Sequence, residues 1–221
     1  MPCNIILAGS TGLVGALARQ ALATRADAVL IPLVRQGSKA TGTPVDFERL
    51  CASPEATLRE HMPEGADIAI CCLGTTISTA GSKPAMVRVD HDYVLAFAKG
   101  VRALGATQFI LVTAAGAGGP GFYLQTKGAV ERAILDLGFD RVDLVRPCFL
   151  LGQRAERRVW EAVGQRVFAW ISPVLTGGLS RYGPIDAHIV AKAIAALAGT
   201  PETGCHIHHN RELRRLGTGF G

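Results

Sequence analysis

Residues 4–15 read Asn4-Ile5-Ile6-Leu7-Ala8-Gly9-Ser10-Thr11-Gly12-Leu13-Val14-Gly15, and this stretch decides the fold. Residues 4–8 form a brief apolar run of strand-forming type, and residues 13–24 are compatible with a helix. Three glycines at G-x-x-G-x-x-G spacing therefore occupy a strand-to-helix turn. A glycine at the tight turn avoids Cβ strain, a second lets an anion approach the backbone, and a third permits close helix–strand packing. Exposed N–H groups over residues 9–15, with the positive end of the helix, then suit a pyrophosphate. The spacing is not the G-x-G-x-x-G of the commonest dinucleotide fingerprint, so its placement between strand and helix carries the assignment. A glycine-rich packing turn without a ligand is the alternative.

The pattern repeats downstream. Residues 29–34, 43–47, 68–73, 109–112, 142–145 and 205–208 read as further strands. Helical stretches fall at 90–104, along the face of Ala129, Val130, Ala133, Ile134 and Leu137, and at 156–171 and 187–197. Short apolar strands alternating with helix-length segments predict an α/β fold: a doubly wound, mostly parallel Rossmann sheet with helices on both faces. No linker or composition break divides residues 1–221, which read as one domain. Residues 149–186 are the least regular part and are expected to form a small substrate-side or partner-binding insertion over the strand ends.

Composition sets bounds. A chain of 221 residues with 48% hydrophobic content folds without disulfide or metal staples, and is not disordered. The net charge of +5 is mildly basic and favours anionic ligands. Arginines cluster at Arg154, Arg157 and Arg158 and at Arg211, Arg214 and Arg215, but no aromatics interleave them, so no nucleic-acid partner is expected. The six cysteines show no paired framework and read as small buried hydrophobes in a reducing compartment. His206, His208 and His209 lack a carboxylate or cysteine cluster to complete a shell, so no metal is expected. No leader pattern and no membrane-length apolar run is visible, which makes a cytoplasmic location the default.

Strand ends supply the other candidates. NAD sites often place an acidic residue about 20 positions beyond the glycine loop. Here the second strand ends in Arg35, with Lys39 nearby, which favours the 2′-phosphate of NADP and keeps NAD as the alternative. Asp46 and Phe47 are placed near an adenine, and Gly74, Thr75 and Thr76 near a ribose. Tyr123 and Lys127 lie four apart and share a helix face, where an ammonium favours the phenolate and permits acid/base work. Lys127 could also bind the cofactor ribose. Thr113, at the end of the fifth strand, is the nearest hydroxyl to hold a substrate oxygen; its neighbours Ala114 and Ala115 offer none. Trp160, Phe168, Trp170 and Ile171 read either as a substrate-pocket wall or as core or partner surface.

The stretches LAGSTGLVG, CCLGTT, VDHDYV, FILVTAAGA, FYLQTKGAVERAI and LVRPCFLLGQRAE together resemble the short-chain dehydrogenase/reductase superfamily. The nearer likeness is to its atypical NAD(P)H-binding, nucleoside-diphosphate-sugar-epimerase-like branch, in particular the group related to the human Tat-interacting oxidoreductase. The resemblance runs over residues 4–197. It implies that Gly9, Gly12 and Gly15 hold the pyrophosphate and Arg35 the adenosine phosphate. It also implies that Leu73 and Gly74 line the central cofactor bed and that Pro147 and Cys148 border the nicotinamide. Tyr123 and Lys127 match the family's catalytic tyrosine and lysine. The strand-end serine pair is represented by Thr113 and Ala114, and Ala114 departs from the pattern. Two functions follow: an NADP-dependent oxidoreductase acting on a small carbonyl or alcohol, as monomer or homodimer, or a catalytically weak NAD(P)H-binding regulatory or interaction module.

Overall fold

Strand β1 (Cys3–Ala8) is flanked by β2 (Ala28–Arg35) on one side and β4 (Ile68–Cys71) on the other. The computed structural model, which describes residues 2–148, 150–151 and 183–219, extends this pair outward with β3 (Thr43–Val45), β5 (Gln108–Val112), β6 (Arg141–Val145) and β9 (Gly204–His208). The order is β3-β2-β1-β4-β5-β6-β9 and every pairing is parallel. The order reverses between β1 and β4, which opens a crevice between their carboxyl ends. A separate short pair, β7 (Leu150–Leu151) and β8 (Ile185–Asp186), is also parallel.

Alternation along the strands feeds two cores. Ile6, Ala8, Ala69, Phe109 and Leu111 face one layer, where Leu58 of α3 (Pro54–Arg59), Phe97 of α6 (Val94–Ala103) and Val130 and Ile134 of α7 (Phe122–Leu135) pack. Ile5, Leu7, Ile70 and Ile110 face the other, against Leu22 of α1 (Leu13–Leu22) and Val190 and Ile194 of α8 (Ala187–Leu197). Leu213 of the last helix, α9 (Asn210–Thr218), closes that layer. Each fully buried Leu, Ile or Phe contributes about 1.5–3 kcal/mol, so apolar strands buried on both faces are the dominant stabilising element.

Several boundaries move, each for a local reason. The third strand stops at Val45, because Asp46 caps α2 (Phe47–Ala52) by accepting from the Glu48 and Arg49 amides at 2.8 and 3.2 Å. The fourth strand ends at Cys71. The helix expected over 90–104 opens as a π-helical turn, Arg88–Tyr93, before α6. Two short helices, α4 (Ile77–Ala80) and α5 (Lys83–Val87), fill the connection that leads into it. Of the expected 149–186 insertion, only residues 150–151 and 183–186 are described. The 156–171 helix, its aromatic residues Trp160, Phe168, Trp170 and Ile171, and Arg154, Arg157 and Arg158 lie outside the described residues.

Candidate active site

The turn after β1 meets the turn after β4 at the switch point. Gly9 adopts φ +77°, and a Cβ there would fall 2.5 Å from the Cys72 carbonyl carbon and 2.7 Å from the Leu73 nitrogen. Only glycine allows this backbone-to-backbone approach. A Cβ on Gly15 would lie 2.1 Å from the Gly9 carbonyl oxygen, so the third glycine seats α1 on the loop. The Gly12 amide donates to the Gly9 carbonyl at 3.1 Å, and Ala16 N–H makes the first helical bond to the Gly12 carbonyl at 2.9 Å.

The amides of Leu13, Val14 and Gly15 therefore lie outside the helical ladder. No side chain caps α1 and no acidic residue stands in its first turn. Ser10, the obvious capping hydroxyl, is buried and donates instead to the Leu33 carbonyl at 2.7 Å. A helix start with open amides and no competing carboxylate fits the phosphates of a dinucleotide.

On the β2–β3 side, Arg35 is exposed at the last residue of β2 and has no carboxylate partner among the described residues. Asp46 uses Oδ1 for the α2 cap. Phe47 is buried in the core, its ring 5.2 Å from that of Tyr93.

On the β4–β5 side, α7 carries Tyr123 and Lys127. Tyr123 is 38% exposed, whereas Lys127 is only 4% exposed, and its Nζ lies 5.7 Å from the centre of the Tyr123 ring. Lys127 Nζ is 2.7 Å from Oδ1 of Asp90, a residue of the π-helical turn that is itself 1% exposed. Asp90 Oδ2 accepts from the Thr75 amide at 2.8 Å. A Cβ on Gly74 would stand 3.5 Å from Lys127 Nζ and 3.6 Å from Asp90 Oδ1, so the pair lies directly over Gly74. Thr113 is buried, and its Oγ1 has no hydrogen-bond partner among the described residues. Beyond Thr113 the chain stays paired with the end of β6: Ala115 N–H donates to the Pro147 carbonyl at 3.0 Å. The Cys148 amide donates to Asn210 Oδ1 at 3.0 Å.

Sequence reasoning singled out neither Asp90 as a partner of Lys127 nor two further supports. The π-helical turn that carries Asp90 has no sequence signature that separates it from an ordinary helix start. Gly128, next to Lys127, is required because a Cβ there would lie 2.4 Å from the Gly118 Cα, so the 116–121 loop rests on α7. Asn210 is fully buried and bonds across the chain to Cys148 and Gly183. Burial pushes the Cys71 thiol up to about 12. His208 lies between Asp143 Oδ1 at 2.8 Å and Glu212 Oε1 at 3.2 Å. None of the described helices is long and apolar enough to cross a membrane.

No family model matches the chain. Among curated proteins it is 39% identical over 145 residues to HTATIP2 of Rattus norvegicus, covering 60% of this chain and 56% of that protein. It is 30% identical over 237 residues to the mitochondrial protein FMP52 of Coccidioides immitis, covering 96% of this chain and 95% of that one. The Emericella nidulans protein fmp52 is 33% identical over 201 residues, with 86% and 84% covered.

Among solved structures, a short-chain dehydrogenase/reductase superfamily protein from Agrobacterium tumefaciens superposes with TM-score 0.65 at 14% identity, over 92% of this chain and 76% of that one. A UDP-glucose 4-epimerase from Thermotoga maritima gives 0.66 at 11%, over 98% and 82%. These likenesses establish the Rossmann fold of NAD(P)-binding proteins. The FMP52 relatives are mitochondrial proteins, which overturns the cytoplasmic expectation. That expectation rested on a missing leader pattern and unpaired cysteines. Free thiols suit any reducing space, and a compartment address is not written in the physics of the fold. Near-full-length similarity to FMP52, with the glycine turn and the Tyr123–Lys127 helix in place, makes this chain a member of the HTATIP2/FMP52 family of atypical, epimerase-like short-chain dehydrogenase/reductases.

Proposed function

We propose that the chain is an NADP-dependent oxidoreductase that moves a hydride to or from a small carbonyl or alcohol. The observation that carries this reading is one continuous seam. Gly9 rests on Cys72–Leu73, and the next residue, Gly74, lies under Lys127, so the open start of α1 and the Tyr123–Lys127 helix share one crevice. Bound NADP supplies the hydride donor or acceptor at its nicotinamide ring.

The chain's residues divide the rest of the work. The loop from Gly9 through Ser10, Thr11, Gly12, Leu13, Val14 and Gly15 binds the pyrophosphate, and Arg35 the 2′-phosphate. Asp46, Phe47, Leu73, Gly74 and Thr75 form the adenosine and central bed, while Pro147 and Cys148 border the ring. Tyr123, half open to solvent, exchanges a proton with the substrate oxygen. Lys127 orients the cofactor. Thr113 holds the substrate oxygen once its enclosed hydroxyl rotates outward. Solved neighbours named with bound NAD support a dinucleotide in general and keep NAD as the rival cofactor.

The test is a fluorescence titration of the purified protein with NADPH and NADH, followed by a panel of small aldehydes, ketones and alcohols. Tight NADPH binding with turnover that is lost in Tyr123→Phe supports the reading. Absence of binding to either nucleotide removes it.

A second reading, an NAD(P)H-binding regulatory module without turnover, is favoured by two observations: Ala114 has no hydroxyl, and the Thr113 hydroxyl is enclosed. Cofactor binding with no consumption across the panel selects it. Sedimentation of the free protein separates monomer from homodimer.

A further inference from the structure

Several cations at the Tyr123 end of the crevice are neutralised by a neighbouring carboxylate. Lys127 pairs with Asp90 at 2.7 Å, Arg88 with Asp92 at 3.2 Å and with Glu48, and Arg146 Nε with Glu131 at 3.0 Å. Lys83, the first residue of α5, is different. It is exposed and has no carboxylate partner among the described residues. Its ammonium lies 5.2 Å from the centre of the ring of Phe122, the residue that precedes Tyr123. An aromatic face attracts an ammonium and leaves its charge in place.

The position is built. Gly81, at φ +86°, ends α4, and the Ser82 hydroxyl accepts from the Ala85 amide at 3.2 Å, which sets Lys83 at the start of α5 against the first turn of α7. A solvated lysine alone would mean little; the composition of its surroundings gives it meaning. Residues 73–87 and 113–130, the two segments that meet beside Tyr123, contain Lys83 and Lys127 and no Asp or Glu. With Lys127 matched by Asp90, the charge left at this rim is that of Lys83. A cleft edge of one sign concentrates ligands of the opposite sign.

We propose that Lys83 is a specificity-determining residue, whose ammonium binds a carboxylate carried by the substrate, so that the small carbonyl or alcohol is an oxo or hydroxy acid. The inference rests on the oxidoreductase reading above for the reacting end at Tyr123, and on the charge of the rim alone for the carboxylate. One ammonium is a point charge that a single carboxylate balances, whereas a phosphate dianion would stay partly uncompensated. The carboxylate takes no part in hydride transfer; it fixes which molecules are held beside Tyr123.

The probes are 4-oxopentanoate and 5-oxohexanoate, each beside its primary amide, which keeps the length and lacks the charge. Wild type is compared with Lys83→Met, Lys83→Arg and Lys83→Glu on the full chain, and melting verifies the fold of each. First, without nucleotide, each probe is titrated while the backbone amide resonances of Lys83, Phe122 and Tyr123 are followed by NMR. At least one acid is expected to bind about three- to tenfold more tightly than its amide. That preference is expected to vanish in Lys83→Met, persist in Lys83→Arg and reverse in Lys83→Glu. No preference in wild type, or one that survives in Lys83→Met, overturns the proposal whatever nucleotide the protein binds.

Second, with NADPH present, the acid-to-amide ratio of kcat/KM is expected to fall about three- to tenfold in Lys83→Met, with the change in KM, as for a contact made equally in ground and transition states. A fall in NADPH affinity of the same size in Lys83→Met assigns the ammonium to the cofactor and overturns the proposal. A wild type that turns over no probe, or binds neither NADPH nor NADH, counts against the oxidoreductase reading, and the nucleotide-free titrations still decide the role of Lys83.

Discussion

Replacing Gly12 by alanine separates the folding role of the glycine turn from its ligand role. Gly12 sits at φ −73° and ψ 173°, a conformation open to alanine. The added Cβ would lie 3.4 Å from the Gly9 carbonyl oxygen, an ordinary contact, with nothing else within 4 Å. Alanine is a worse helix N-cap than glycine by about 0.5–1 kcal/mol, and its lower unfolded-state entropy returns about 0.4–1 kcal/mol. The free protein is therefore expected to melt within a few degrees of wild type.

Binding is a different matter. On the proposed placement of the pyrophosphate, the methyl group stands in the path to the amides of Leu13, Val14 and Gly15. Losing one or two charge-assisted hydrogen bonds of about 1.5–3 kcal/mol each weakens the complex by about 2–5 kcal/mol. That corresponds to about 30-fold to several thousand-fold in Kd, read by NADPH fluorescence titration beside a ligand-free melt. Gly15→Ala is the contrasting case: with its Cβ 2.1 Å from the Gly9 oxygen, it is expected to lower the melting temperature as well. A Gly12→Ala protein that melts like wild type and binds NADPH within about threefold would refute the placement of the phosphates at α1.

Arg35→Ala is expected to weaken NADP by about 10- to 100-fold and leave NAD unchanged; wild-type affinity for NAD equal to or tighter than for NADP contradicts the preference. Tyr123→Phe is expected to lower kcat by about 100-fold or more while the cofactor Kd stays put. Thr113→Val removes a buried hydroxyl that has no partner among the described residues, so the melting temperature is expected to hold or rise; a fall in kcat of about tenfold marks substrate contact, and an unchanged kcat denies it. At Asp143, burial pushes the carboxyl up, but hydrogen bonds from His208, Arg141 and Gln108 together outweigh it and hold the group below its ordinary value. Its contribution to stability is thus complete above the unfolded carboxyl value of about 3.9 and is lost as pH falls further. Melts from neutral to acid pH are expected to show Asp143→Asn costing about 3–5 kcal/mol near neutrality and progressively less below about pH 4; a constant difference refutes this.

What the sequence made legible is what local chemistry encodes. Gly9 and Gly15 announce a strand-to-helix turn because no other residue tolerates those approaches, and the apolar run at residues 5–8 announces a strand covered on both faces. The pairing of Tyr123 with Lys127 follows from helical periodicity alone. What stayed hidden depends on partners distant in the chain. Asp90 is 37 residues from Lys127, and only the β4–β5 crossover brings them together. Asp46 reads equally well as an adenine acceptor and as a helix cap, since an exposed aspartate after a strand serves either, and the cap is visible only once α2 forms. The network of Gln108, Arg141, Asp143 and His208 joins three strands at separations that no local pattern spans. The edge strand β9 is legible in the sequence, but the helix after it is not, because its strongly charged sequence hides the Leu213 contact that seats it.

The architecture also bears on which of the two functions the chain performs. The proposed binding half rests on β1, α1 and the ends of β2 and β3, with its own packing through Ser10 to Leu33 and Asp46 to α2. The proposed reacting half rests on the π-helical turn, the end of β5 and α7. The close approaches joining them are those of Gly9 to Cys72–Leu73 and of Gly74 to the Asp90–Lys127 pair. A change confined to the reacting half, such as alanine in place of a hydroxyl at residue 114, removes no contact that shapes the phosphate turn. On the proposed reading binding and turnover are therefore separable, and Ala114 is expected to bear on catalysis while dinucleotide binding is kept. Substitutions at the seam, at Gly9 or Gly74, are the ones that must damage both. Turnover measured beside affinity across those two classes of variant distinguishes an oxidoreductase from a cofactor-reading module, which affinity alone cannot do.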